Sequence, residues 1–280
     1  MSPTSTLDAE ARALLAAPEC CGGAWTAGLP PWLADGARGF GISHCIDHTL
    51  LRPDATRADV ERAADEGRRF GVAAVCVNGA WARLVAGRLA GSGVRTAIVV
   101  GFPLGASAGR AKAREARLAV EDGADELDMV LPIGPAIALD WAMVVDDIRG
   151  VVDAAGERPV KVILETAALA PGTIVAAALA ARLGGAAFVK TSTGFHPAGG
   201  ATEAAVHLMR RAVGSALGVK ASGGVQTAAA ALAMLAAGAN RIGTSSTAAM
   251  AAVLGPDAPP LAHLLAEAQR TASAGPSAGS

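Results

Sequence analysis

The sequence predicts an α/β protein. The expected architecture is a single (β/α)8 TIM barrel over residues 39–270, with an N-terminal extension (1–38) and a short tail (271–280). Three observations predict it. Eight short β-branched or apolar runs recur along the chain, each followed by a polar or glycine-containing turn. Between them lie Ala-rich amphipathic stretches of helix length, often ending in glycine. No Gly-x-Gly-x-x-Gly follows the first run, which weakens the competing open, doubly wound sheet. Buried strands alternating with helices pair in parallel through right-handed crossovers, and eight such units fit a closed barrel.

The runs are GISHCID (41–47), VAAVCVN (72–78), VRTAIVV (94–100), DELDMVL (125–131), PVKVILE (159–165), AAFVKTS (186–192), LGVKAS (217–222) and NRIGTS (240–245). Helix signals are clearest in three of the stretches. Residues 56–71 open on Thr56 with Asp59 three positions on, as in a capping box, and close on Gly71. Residues 108–123 place charges on one face and end at Gly123; residues 226–238 end at Gly238. Residues 1–38 have no clear period and contain Cys-Cys, Gly-Gly and Pro-Pro, so a loose or partly helical extension is expected. The tail TASAGPSAGS reads as flexible.

Composition excludes some classes. With 52% hydrophobic residues, the 280-residue chain can bury a sizeable core. A formal net charge of -1 gives no basic surface for nucleic acid or membrane. No apolar run reaches the ~18 residues of a membrane span. The N-terminal apolar patch lacks a preceding basic segment and carries Asp8 and Glu10, unlike a signal peptide. Cys20, Cys21, Cys45 and Cys76 fit neither a zinc site nor a disulfide framework, so a reducing, cytoplasmic setting without a metal is expected.

The chain has 20 arginines and four lysines: Lys112, Lys161, Lys190 and Lys220. A genome biased towards Arg, Ala and Gly codons would account for the excess of arginine, which is the plainer reading. Where a generic positive charge suffices, this chain uses Arg, so the lysines stand out. Lys161, Lys190 and Lys220 fall in runs five, six and seven, and Asp128 falls in run four. Side chains alternate along a strand, so these four are expected to point into the barrel from neighbouring strands. A buried ion-pair cluster that only fixes the fold is the plainer alternative. Lysine, unlike arginine, can lose its proton and become a nucleophile, and burial beside a second cation favours that loss. The pattern points to Schiff-base chemistry on a carbonyl substrate, with Asp128 moving protons.

Two glycine- and serine-rich turns, KASGGVQT (220–227) and RIGTSSTA (241–248), follow runs seven and eight and are expected to lead into Ala-rich helices. The loops after strands seven and eight are the recurrent phosphate site of such barrels, and helix N-termini bind anions. The expected phosphate contacts are Gly223, Gly224, Gly243, Ser245 and Ser246, with Gly194 from the turn after run six. A phosphorylated carbonyl compound is the expected substrate. Two other functions compete: a sugar-phosphate isomerase using Asp128 as base, and a non-catalytic phosphate-binding barrel. Neither needs two close lysines.

Taken together, DHTLL (47–51), VCVN (75–78), VVGFPLG (99–105), GADELDMV (123–130), KVILET (161–166), FVKTSTGF (188–195), GVKASGG (218–224) and RIGTSS (241–246) resemble the deoxyribose-phosphate aldolase family, in its order. The resemblance implies reversible cleavage of 2-deoxy-D-ribose 5-phosphate to D-glyceraldehyde 3-phosphate and acetaldehyde, without a metal or other cofactor. It implies Lys190 as the Schiff-base nucleophile, Lys220 as the lysine that tunes it, and Asp128 as the proton relay. Asp47, with Lys161 and Thr191, belongs to the supporting polar network. It also implies a homo-oligomer. The sequence departs from the family at Gly79 (usually proline), Pro132 (commonly asparagine) and His196-Pro197 (usually small residues), and it has no tyrosine for a C-terminal phosphate contact.

Other residues carry weaker signals. His48 reads as a structural histidine near the end of the first strand, with general base as the lesser reading. His196 is placed in the loop after run six, with a role at the mouth left open. Cys76 reads as a small wall residue rather than a reactive thiol. Thr191 and Ser192 either contact substrate or close the strand. Glu165 is expected to pair with Lys161 in preference to acting as an acid. Arg52 and Arg57 read as solvated.

Overall fold

The computed structural model describes residues 3–16, 41–254 and 258–273. Cys20, Cys21, residues 17–38 of the extension and residues 274–280 of the tail lie outside the described residues. Eight parallel strands close into a barrel in sequential order, from β1 next to β2 through to β8 next to β1. They are β1 (Ile46–Leu50), β2 (Ala74–Val77), β3 (Arg95–Val100), β4 (Glu126–Val130), β5 (Val160–Ile163), β6 (Phe188–Lys190), β7 (Gly218–Ser222) and β8 (Arg241–Thr244). The helices are α1 (Pro3–Ala16), α2 (Arg57–Phe70), α3 (Ala82–Leu89), α4 (Gly109–Glu121), α5 (Ile133–Ile137), α6 (Trp141–Ala155), α7 (Pro171–Leu183), α8 (Glu203–Val213), α9 (Ala228–Ala236) and α10 (Leu261–Ser273).

The local signals explain the elements. Thr56 Oγ1 accepts from the Asp59 amide and the Asp59 carboxylate accepts from the Thr56 amide, a reciprocal capping box. Gly71, at φ +59°, closes α2 in the left-handed region. Val60, Ala63, Ala64 and Gly67 are the buried face of α2, spaced three and four apart. A Cβ on Gly67 would lie 2.3 Å from Val75 Cγ2, so α2 seats against β2 only without a side chain there.

Two sequence expectations shift. The first strand begins at Ile46, because residues 42–45 form a 3-10 turn. Ile42, Cys45 and Ile46 are buried at the three- and four-residue spacing of a helical face. The turn after β8 leads into a 3-10 segment, Thr247–Val253, instead of an α-helix. In addition, α10 runs to Ser273, three residues into the stretch expected as tail.

One face of the strands packs Val75, Ile98, Leu127, Val162, Val189, Val219 and Ile242 against the helices. α7 is buried without interruption from Ile174 to Ala181, so it has no polar face. α1 provides its outer cover. It packs on α6, α7 and α8, burying Leu7 and Ala11. Asp8 accepts from Trp141 Nε1 at 2.9 Å, Glu10 pairs with Arg182 at 3.2 Å, and Arg211 donates to the Leu14 carbonyl. Among the described residues, no helix is long and apolar enough to cross a membrane.

Candidate active site

The barrel interior is divided. On the β2–β3 side it is apolar, with Leu51, Ala74, Cys76, Ala97 and Val99. Elsewhere it is ionic. Register places Asp128 beside Lys161 and Lys190 beside Lys220 on adjacent strands. Their alternating positions turn them inward, where Asp47, Glu126, Asp128, Lys161, Lys190, Lys220 and Arg241 are all buried.

Asp128 is the hub. Its Oδ2 accepts from Lys190 Nζ and Lys220 Nζ, each at 2.8 Å, and its Oδ1 accepts from Lys161 Nζ at 2.9 Å. The lysines differ in how many carboxylates they reach. Lys190 pairs with Asp128. Lys220 pairs with Asp128 and Asp47. Lys161 pairs with Asp128 and Glu126 and lies 3.7 Å from Asp47. Arg241 closes the ring, 2.7 Å from Asp47 and 3.4 Å from Glu126.

These partner sets separate the lysines electrostatically. Burial pulls all three amines down. At Lys220 the Asp128 and Asp47 charges outweigh burial and push the amine above its usual range; at Lys161 the same two carboxylates do so. At Lys190, burial prevails over Asp128 and is seconded by the Lys220 charge, so this amine is lowered. Burial alone would raise Asp128, but Lys161, Lys190 and Lys220 hold it well below the carboxylate range. Cys76 also faces the cluster; burial, more than the Asp128 charge, pushes its thiol up to about 11, so it is neutral.

The turns at the C-terminal strand ends lie beyond the cluster. Thr191 Oγ1 donates to the Ser222 carbonyl at 2.8 Å and accepts from the Ser222 amide, lacing β6 to β7. The Ser192 and Thr166 hydroxyls are buried with no hydrogen-bond partner among the described residues. Gly194, Gly223 and Gly224 adopt φ values of +83°, +93° and +80°. Nothing lies within 4 Å of a Cβ on Gly224, so the space above it is open. A Cβ on Gly200 would sit 2.3 Å from the Gly223 carbonyl oxygen, so the loops after β6 and β7 meet backbone to backbone. Ser245 is exposed, and the Ser246 amide donates to Thr244 Oγ1 at 2.9 Å. Gly243 lies lower: a Cβ there would meet Ser222 Oγ at 2.7 Å and Lys220 Cε at 3.0 Å, so it makes room for Lys220 inside the barrel. Phe102 and Phe195 meet edge to face at 5.2 Å, joining the loops after β3 and β6.

A family model for DeoC/LacD family aldolases matches residues 42–252. The chain belongs to this family. This aldolase is 52% identical over 224 residues to a deoxyribose-phosphate aldolase of Micrococcus luteus, covering 77% of this chain and 96% of the relative. Among solved structures it is similar to a provisional deoxyribose-phosphate aldolase of Coccidioides immitis, with TM-score 0.81 and 32% identity over 89% of this chain and 96% of that one. It is also similar to the deoxyribose phosphate aldolase of Aeropyrum pernix, described as a tetramer, with TM-score 0.69 and 33% identity over 75% and 88% of the two chains.

One residue of the aldolase lies where sequence reasoning did not put it, whereas His48 and His196 fit the structural and loop positions expected of them. Glu165 does not pair with Lys161. It stands past the end of β5 at φ +58° and accepts from the Thr193 hydroxyl at 2.6 Å. His48 points away from the cluster, between Thr247 Oγ1 at 2.7 Å and Glu66 at 3.2 Å, and burial outweighs Glu66 to lower its pKa. His196 accepts from the Ala198 amide within its own loop. Lys112 is buried outside the barrel, donating to Asp147 and the Val130 carbonyl at 2.9 Å each. Glu126 and Arg241 were missed as members of the network. Their signal was present: both belong to strand runs at inward positions.

Proposed function

We propose that this aldolase reversibly cleaves 2-deoxy-D-ribose 5-phosphate to D-glyceraldehyde 3-phosphate and acetaldehyde through a Schiff base on Lys190. The observation that carries this reading is the asymmetry of the lysines around Asp128. One buried amine, with a single carboxylate partner, is pulled down, while its neighbours are pushed up.

The steps follow from the positions. Neutral Lys190 attacks the C1 aldehyde, and the carbinolamine loses water to give an iminium. The C3 hydroxyl gives up its proton, C3 becomes the carbonyl of glyceraldehyde 3-phosphate, and the C2–C3 electron pair moves toward the iminium to form an enamine. A proton then returns to C2, and water releases acetaldehyde and the free amine. One water leaves and one returns, and the hydroxyl proton is matched by the proton on C2. Asp128, kept ionised by the Lys161 and Lys220 charges and within hydrogen-bond reach of Lys190, relays those protons in this reading. The open space at Gly224, before the N-terminus of α9, supports a phosphate seat, to which the turn after β8 would add Ser245 and Ser246. Likeness to a tetrameric relative supports a homo-oligomer.

Borohydride reduction in the presence of acetaldehyde tests the reading. A stable adduct mapped to Lys190 by mass spectrometry is expected, and Lys190→Met removes both the adduct and turnover. An adduct on Lys220, or turnover near wild type in the Lys190 variant, overturns the assignment.

A further inference from the structure

Seven ionisable side chains are linked at ion-pair distances inside the barrel: three acids (Asp47, Glu126, Asp128) and four bases (Lys161, Lys190, Lys220, Arg241). If all were charged the network would carry one surplus positive charge away from water. An uncompensated buried charge is expensive, and the group that can neutralise does so. Arginine does not deprotonate. Lys161 has three carboxylates within 4 Å, Lys220 has two and Lys190 has one, which it shares. The proton therefore leaves Lys190, and the remainder balances, three against three.

We propose that Glu126 and Arg241, neither of which touches Lys190, are positioning residues that set its charge state by fixing the net charge of the whole interior network. The inference rests on the Schiff-base reading above. Other charged groups do not alter the count. Arg95 reaches Glu126 at 3.0 Å, but its side chain is 55% exposed and stays hydrated, so it is not among the charges taken out of water. His48 and Lys112 face away, Glu165 is turned to Thr193, and Cys45 beside Arg241 and Asp47 is, like Cys76, a buried neutral thiol.

The signs are opposite for the two residues. Glu126→Gln leaves the network at +1 with Lys190 neutral, so a proton on Lys190 is disfavoured further. The acidic limb of kcat/KM moves to lower pH, by roughly one unit for one unit charge at short range. Arg241→Met leaves it at -1, and protonating Lys190 restores balance, so the limb moves to higher pH by a similar amount. The double variant is balanced again, and its limb returns toward wild type. Glu126→Asp keeps the charge and leaves the limb in place.

The experiment measures the pH dependence of kcat/KM and of reductive trapping with acetaldehyde in these variants, with the adduct mapped in each. Opposite shifts, restored in the double variant, are expected with the adduct on Lys190. Shifts of the same sign, or none, with the adduct still on Lys190, overturn this inference and leave the Schiff-base reading intact. No lysine adduct in the wild type overturns both. If Arg241→Met does not fold, Glu126→Gln against Glu126→Asp decides alone: equal limbs in the two overturn the inference.

Discussion

At the scale of the residue, Lys190 and Lys220 are register partners with opposite electrostatic fates. Lys220 contributes a fixed positive charge beside the nucleophile. Lys220→Leu should therefore raise the pKa of Lys190 and move the acidic limb of kcat/KM to higher pH. Activity at neutral pH falls by about 10²-fold or more, and partly recovers as pH rises. Steady-state kinetics across pH check this; a loss equal at every pH would show that Lys220 acts by packing or binding. The lysines were legible because this chain prefers arginine everywhere else. The same preference hid Arg241, since an arginine at the start of a strand run reads as one more solvated cation. Glu165 was misread because alternation was extended past Ile163, where the strand ends and the backbone turns left-handed. Asp128 as hub was only half legible: alternation predicts that it points inward, but three lysines on two of its oxygens is a fact of barrel diameter.

At the scale of the element, the strands are short and the functional geometry lies in the turns that follow them. Gly224 combines positive φ with open space on its Cβ side, the condition under which a backbone can meet an anion closely. Gly224→Val should raise KM for the phosphorylated sugar by about 10-fold or more while changing KM for unphosphorylated deoxyribose little, because one bidentate-scale charged contact is worth roughly 1.5–3 kcal/mol. An equal loss on both substrates, by initial-rate kinetics, would place the phosphate elsewhere. Helix ends were well legible where capping chemistry is local, as at Thr56, Asp59 and Gly71. The 3-10 turns at 42–45 and 247–253 were not, because short apolar stretches carry no period long enough to separate a strand or helix from a turn. Gly243 was assigned to the phosphate from its motif, yet its place in the strand shows it clearing room for Lys220.

At the scale of the whole molecule, closure of the barrel and the apolar cover on α7 depend on segments far apart in the chain. A helix with no polar face, PGTIVAAALAARL, announces in sequence that something must lie outside it. That α1 does so is a tertiary fact that no local pattern carries. The ion-paired network has a further consequence, visible in the order of the strands. Its carboxylates come from β1 and β4, and its cations from β5 to β8. The two half-barrels are thus interior poles of opposite sign. Two like halves brought face to face would bury at least six like charges, three from each, whereas unlike halves neutralise each other, so charge selects the partner even though apolar burial supplies most of the affinity. A chain cut in the exposed turn after α6, into residues 1–156 and 157–280, should therefore reassemble on co-expression as a one-to-one, active pair. Size-exclusion chromatography and aldol cleavage would read the outcome; homodimers of either half, or indifferent mixtures, would show that the poles do not choose.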